Sequence, residues 1–147
     1  MTTEAELERV LWSLRAYDVL ALATADPDGP HVAGVFFAPA ARGGGLHLII
    51  ATLGETALQR AMRRDTRVAF LCSPGNASRW IQGTGTAEVI DDTARHADLH
   101  ERLLAHAPGA RVYVERFAAV PAIITVKRLK IVDAIDATPR LLEFPDQ

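Results

Sequence analysis

The chain has 147 residues and a mass of 15.9 kDa, the usual size of one domain with a single substantial core. Apolar residues make up 49% and charged residues 23%, which excludes disordered, collagen-like and low-complexity chains. The formal net charge of −2 argues against a nucleic-acid-binding protein. No apolar run approaches the roughly 18 residues of a membrane span, and residues 1–8 lack the apolar segment of a signal peptide.

The single cysteine, Cys72, excludes an internal disulfide and is typical of a reducing compartment, so we expect a cytoplasmic location. The sequence contains no internal repeat and no linker that would separate two domains. We therefore predict a single domain over residues 1–147, with an N-terminal helix over residues 1–16 and a tail over residues 138–147.

The first half of the chain alternates between apolar segments and turn signals. Thr3 and Glu6 form a capping-box pattern, and apolar residues follow them at helical spacing. Tyr17–Thr24 predicts the first strand, and after a turn rich in Asp, Pro and Gly, His31–Phe37 predicts its hairpin partner. A glycine-rich turn then leads into Leu46–Thr52, the third predicted strand.

The second half predicts a helix, two strands, a second long helix and two closing strands. These segments are Ala57–Arg64, Arg67–Cys72, Arg79–Ile90, Asp91–His106, Pro121–Val126 and Leu129–Ile135. Strands and helices in this order do not alternate as βαβ units do, which favours an antiparallel sheet or barrel with peripheral helices. A closed barrel would also protect the edges of so many short strands.

Two motifs that could carry chemistry have simpler explanations. Gly83-Thr84-Gly85 lacks the third glycine of a dinucleotide loop and lies within a predicted strand, so a bulge or barrel bend is favoured. His96 and His100 are one helical turn apart and could share a metal ion. Solvated or half-buried histidines on an amphipathic helix are the favoured interpretation, and we predict no metal site.

The turn between the third strand and the next helix has the features of a phosphate site. The N-terminus of a helix offers unpaired N–H groups and a partial positive charge. The hydroxyls of Thr52 and Thr56, with Arg60 one turn along, would suit a phosphate. Alternatively, Thr56 only caps the helix and the arginines face solvent. The spacing leaves both interpretations open.

Three segments, in this order along the chain, resemble the pyridoxamine phosphate oxidase-like, FMN-binding split-barrel family: Leu22–Val32, Arg63–Leu71 and Arg79–Glu88. The likeness covers residues 19–90 well and continues more loosely to residue 135. It implies a mainly β fold, a six-stranded antiparallel Greek-key split barrel with peripheral helices. It also implies a dimer with two flavin sites in the grooves between the subunits. Family members include flavin and deazaflavin oxidoreductases, and some relatives handle haem.

The resemblance implies which residues surround the flavin ring. His31, Val32 and Ala33 match the strand that runs beside the isoalloxazine ring, and Arg79 and Trp80 match the strand that faces the ring from across the site. These five positions are therefore expected to contact the ring.

The resemblance also implies where the flavin phosphate binds. Ala51 and Thr52 match the place where the third strand meets the ribityl phosphate, and Thr56 matches the serine that opens the phosphate turn. After that serine the family usually has a basic pair, whereas this chain has Ala57-Leu58.

Gln59 and Arg60 could compensate for the missing pair from the next turn of the helix. We expect Arg60 to supply the charge for the phosphate, and Arg63 to be turned away from it.

The resemblance thus implies an FMN-binding protein that is an oxidoreductase on an unknown small molecule, because the flavin carries hydride chemistry. The alternative is a binding module without turnover for haem, a deazaflavin or another planar ligand. No residue is identified as a catalytic acid, base or nucleophile. We also expect a homodimer, without nucleic-acid or membrane partners. His31–Ala41 is apolar on both faces, and a second copy would cover the outer one unless a helix does.

Overall fold

The computed structural model describes residues 2–54 and 56–144. Its α-helices are α1 (Glu4–Leu14), α2 (Ala57–Arg64), α3 (His96–His106) and α4 (Arg111–Arg116). Its strands are β1 (Val19–Asp26), β2 (Gly29–Arg42), β3 (Gly45–Thr52), β4 (Arg67–Cys72), β5 (Trp80–Val89), β6 (Val120–Val132) and β7 (Arg140–Glu143). Short 3₁₀ turns, Thr93–Arg95 and Pro108–Ala110, precede α3 and α4.

All strand pairings are antiparallel, in the order β3-β2-β1-β4-β5-β6-β7. An additional pairing between β3 and β6 closes six of the strands into a barrel, and β7 lies outside this ring. The prediction of a mainly β antiparallel split barrel with peripheral helices is confirmed. The barrel has the six strands that the resemblance implied, and the described chain adds a seventh strand, β7, beside it.

Near the C-terminus the structure differs from the prediction in two places, and both involve the long strand β6. The two predicted closing strands are a single strand, β6. It pairs with β5 along most of its length, and a register shift between Thr84 and Gly85 keeps the pairing continuous. The predicted tail contains β7, which pairs with residues 128–131 of β6 and leads into the buried Phe144. Residues 145–147 of the predicted tail lie outside the described residues.

The helices differ from the prediction in extent and number. The segment expected to be one helix over Asp91–His106 begins as a 3₁₀ turn, with Asp92 accepting a hydrogen bond from the N–H of Ala94 at 3.1 Å. The α-helix itself starts at His96. Helix α4 was not predicted.

The predicted capping box of α1 is present. The hydroxyl of Thr3 accepts from the N–H of Glu6 at 3.2 Å, and the Glu6 carboxylate accepts from the N–H of Thr3 at 2.7 Å. The apolar stripe of α1 is buried in the same core as the barrel interior, which includes Leu22, Phe37 and Ile124. Helix α1 therefore packs inward through one face.

A second, smaller core lies on the outside of the barrel. Leu99 and Leu103 of α3 pack over Ala38, Ile49 and Ile123, which face outward from β2, β3 and β6. Helix α3, and not α1, thus covers the outer face of the second half of β2. The first half of β2 has no such cover, and Val32 is 71% exposed there.

Burial makes Cys72 a poor nucleophile. The thiol is buried at the end of β4, and burial raises its pKa to about 12 because the charged thiolate would be desolvated. We expect no reaction with Ellman's reagent in the native protein at mildly alkaline pH, and one thiol per chain after denaturation. Rapid labelling of the native protein would contradict the burial of this side chain.

Candidate functional site

A cleft of about 270 Å³ lies where the barrel is open along one edge of β2. Residues 29–36 of β2 pair with β1 on one side, whereas β3 pairs only with residues 37–42. No described strand therefore covers the other edge of residues 29–36. The cleft is formed by β2, β3, α2 and the segment around α4, and its lining residues are Ala33, Gly34, Val35, Phe36, Ala51, Thr52, Leu53, Thr56, Leu58, Ala110 and Tyr113.

One wall of the cleft is aromatic. The rings of Phe36 and Tyr113 have centroids 5.9 Å apart, and Phe117 extends the cluster with a centroid 6.3 Å from Tyr113. Gly109 lies directly against Phe36, and a Cβ at that position would be 3.0 Å from the ring. The close approach of this glycine lets the segment before α4 lie against the Phe36 ring, which gives the cleft a broad apolar surface.

The polar side chains at the other end of the cleft are bonded to the protein itself. Thr52 is 2% exposed, and its hydroxyl donates to the backbone oxygen of Val120 at 2.9 Å. The side-chain amide of Gln59, also buried, donates to the Thr52 hydroxyl at 3.1 Å. These bonds tie α2 to β3 and β3 to β6, so the Thr52–Gln59 pair fixes the base of the cleft.

Thr56 is the cap of α2. Its hydroxyl donates to the backbone oxygen of Leu53 at 3.0 Å and accepts from the N–H of Gln59 at 3.3 Å. The side chain thus satisfies one of the otherwise unpaired N–H groups at the start of the helix. Of the two interpretations of this turn, the capping role is the one that the hydrogen bonds support.

The arginines of α2 lie outside the cleft. Arg60 is exposed and is not among the lining residues. Arg63 is turned away as expected, and its guanidinium donates two hydrogen bonds to Asp91, at 2.8 and 2.7 Å. This ion pair lowers the pKa of the Asp91 carboxyl. No Arg, Lys or His is among the described residues that line the cleft.

Of the ten predicted site residues, the structure brings four together in the cleft: Ala33, Ala51, Thr52 and Thr56. Gln59 lies behind them, and His31 is exposed near the start of β2. Val32 and Trp80 instead line a separate apolar depression of about 500 Å³ on the outer face of the sheet. Arg79 lies just before β5, beside a third groove.

Trp80 is held in place on the outer face. Its indole N–H donates to the backbone oxygen of Ala77 at 3.0 Å, and the Lys130 ammonium lies 5.4 Å from the ring centroid. Within one chain, Trp80 and Arg79 are not lining residues of the cleft.

The aromatic residues that line the cleft were missed by the sequence interpretation. Tyr113 belongs to α4, which was not predicted, and Phe36 was assigned only to the predicted strand His31–Phe37. The four-residue spacing of Tyr113 and Phe117 is the sequence signal that could have indicated a helical aromatic face.

Among the described residues, the histidine pair on α3 is not joined by a third side chain that could help to bind a metal ion. The rings of His96 and His100 have centroids 5.9 Å apart, and Nε2 of His96 lies 2.6 Å from the backbone oxygen of Ile90. Burial lowers the pKa of His100. The described residues contain no group of three or more His, Cys, Asp or Glu side chains arranged to hold a metal ion.

The sequence model of the pyridoxamine 5'-phosphate oxidase family matches residues 8–132. The chain belongs to this family. A search of curated proteins gives no match.

None of the described helices combines the length and the apolar character needed to cross a membrane. Family members commonly bind a flavin.

Solved structures with the same fold include proteins of different kinds. A heme binding protein from Mycobacterium smegmatis superimposes with a TM-score of 0.71 at 17% identity, over 97% of this chain and 59% of that one. A NimC/NimA family protein from Clostridium acetobutylicum gives 0.67 at 19% identity, over 93% and 91%. A pyridoxinephosphate oxidase family protein from the same organism, related to general stress protein 26, gives 0.72 at 13%, over 96% of both chains. At these identities the likeness concerns the fold.

The cleft fits one part of an FMN molecule and not the other. The aromatic wall and the open edge of β2 suit a planar ring with polar groups at its rim. The end near Thr52 and Thr56 does not suit a phosphate, because both hydroxyls are bonded to backbone oxygens and no described basic side chain lines it.

Proposed function

We propose that this protein binds the isoalloxazine ring of a flavin, or a closely similar planar ligand, in the cleft beside β2, and that it acts as an oxidoreductase on a small molecule. The observation that carries the proposal is the apolar cleft with an aromatic wall beside the uncovered strand edge. A bound flavin supplies the hydride chemistry, and the protein supplies binding and orientation.

The residues of the cleft have separate roles in this proposal. Phe36 and Tyr113 pack against the ring and exclude water from one side. The unpaired backbone N–H and C=O groups along residues 29–36 of β2 meet the polar rim of the ring. Ala33 and Ala51 leave room because their side chains are small.

We also propose that the protein is a homodimer whose second copy covers the outer face of the sheet. Val19, Val32 and Leu71 are 43%, 71% and 41% exposed there, beside the depression that Trp80 lines. Gly34 lines the cleft and lies two residues from Val32, on the same face of β2, so a copy docked on this face lies next to the cleft. Arg79 and Trp80 of the second copy would then reach the ring from across the site.

Titration of riboflavin, followed by quenching of its fluorescence, tests the binding site. Tyr113→Ala is expected to weaken binding by roughly tenfold, because an aromatic contact and its buried area are worth about 1–2 kcal/mol. Trp12→Ala is the matched control, because Trp12 is 78% exposed and lies outside the cleft. Equal affinity of both variants and the wild type would contradict the site.

Haem binding is the second candidate function. The fold is that of a heme binding protein, and Tyr113 places a phenol, a known type of haem ligand, in the lining of the cleft. Hemin titration would then give a Soret band that Tyr113→Phe shifts or abolishes. A Soret band unchanged by this substitution would contradict ligation by Tyr113.

A further inference from the structure

We propose that the cleft selects a planar ligand that carries no phosphate at the Thr52–Thr56 end, so that riboflavin or another uncharged ring-and-chain molecule binds at least as well as FMN. This inference rests on the proposed function, because it specifies which ligand the same cleft takes.

The first reason is the absence of compensating charge. A phosphate dianion loses its hydration when it enters a cleft, and cationic side chains or several N–H donors must replace it. No Arg, Lys or His is among the described lining residues, and Leu58 puts an apolar side chain at the start of α2 instead. The described lining of the cleft therefore offers no cationic side chain to an anion.

The second reason is that both threonine hydroxyls and both kinds of Gln59 donor are already used. The Thr52 hydroxyl donates to Val120 and the Thr56 hydroxyl donates to Leu53. The N–H of Gln59, a donor that would face an anion at the start of α2, bonds to the Thr56 side chain. The side-chain amide of Gln59 bonds to Thr52. A phosphate would have to break these bonds before it gained its own.

The third reason is that these bonds are structural. Thr52 and Gln59 are 2% and 6% exposed, and they join β3, β6 and α2 at the base of the cleft. Freeing them for a ligand would leave buried polar groups unpaired, which is costly. The chain is therefore built to keep this end of the cleft occupied by its own polar groups and closed to an anionic group.

The test compares riboflavin and FMN as probes, each titrated into the full chain at low and high salt. We expect the dissociation constant for FMN to equal or exceed that for riboflavin, and to change little with salt, because no cation contacts the phosphate. An FMN affinity at least tenfold higher, falling with salt, would overturn the inference and leave the proposed function standing. Binding of neither probe would overturn both.

A gain-of-charge variant gives the matched experiment. Leu58→Lys puts an ammonium at the lining position of α2, and we expect it to raise FMN affinity by about tenfold, equivalent to about 1.4 kcal/mol, with riboflavin affinity nearly unchanged. Ala105→Lys is the control, since Ala105 is exposed on α3 and outside the cleft. An equal gain in both variants would show a general effect of added positive charge. It would contradict the inference that the ligand's phosphate-free end lies beside the Thr52–Thr56 turn.

Discussion

We expect Gly85→Ala to lower the free energy of unfolding by about 3 kcal/mol or more. An added Cβ would lie 2.2 Å from the backbone oxygen of Thr125 and 3.1 Å from the Cα of Val126. Both atoms belong to the β6 backbone, so relief of the clash requires β5 and β6 to separate at the register shift beside Gly85. Urea denaturation followed by circular dichroism measures the loss.

Two other glycines serve as graded controls. At Gly83 an added Cβ would meet the side chains of Phe70 and Leu129 rather than backbone atoms, so we expect a smaller cost for Gly83→Ala, about 1–3 kcal/mol. At Gly54 nothing lies within 4 Å, and Gly54→Ala should change stability by no more than about 0.5 kcal/mol. Equal losses in the three variants would contradict the explanation by close contact.

The parts of the fold that depend on neighbouring residues could be predicted from the sequence. The turn between β1 and β2 pairs Asp26 with Gly29, which is where the Asp, Pro and Gly residues predicted it. The cap of α1 at Thr3 depends on Glu6, three residues away. Such features need no knowledge of distant contacts.

The errors concern features that distant contacts decide. Lys127 and Arg128 are consecutive exposed polar residues within β6, and they fall between the two predicted closing strands. The strand continues through them because β5 pairs with it on both sides of the register shift. Helix α4 has six residues, too few for intrinsic helical stability, and its Tyr113 packs on Phe36 of a distant strand.

The positions of four cleft residues could be predicted from the sequence, but their hydrogen bonds could not. Ala33, Ala51, Thr52 and Thr56 were grouped from the family resemblance, and the structure places them on β2, at the end of β3 and at the cap of α2. The direction of the Thr52 hydroxyl could not be predicted, because its acceptor is the oxygen of Val120, which lies 68 residues further along the chain. Whether this turn can hold a phosphate depends on that bond as well as on the residue types in the lining.

We expect the wild-type protein to be a dimer and Val32→Asp to convert it to a 15.9 kDa monomer at micromolar concentration. Val32 is 71% exposed on the outer face that no described helix covers, next to Leu71 and Trp80 around the depression. A carboxylate buried there without a partner would cost about 3 kcal/mol or more, which weakens association by at least about 100-fold. Light scattering coupled to size exclusion measures the mass.

Ile135→Asp is the control for the dimer, because Ile135 is 88% exposed and lines neither the depression, nor the cleft, nor the groove beside Arg79. The control should keep the wild-type mass.

If Trp80 of the second copy completes the cleft, Val32→Asp should also weaken riboflavin binding, although the Val32 side chain is not part of the cleft. A monomeric wild type would exclude the dimer. A monomeric Val32→Asp variant with undiminished riboflavin affinity would show that a single chain holds the ligand, and would remove Arg79 and Trp80 from the site.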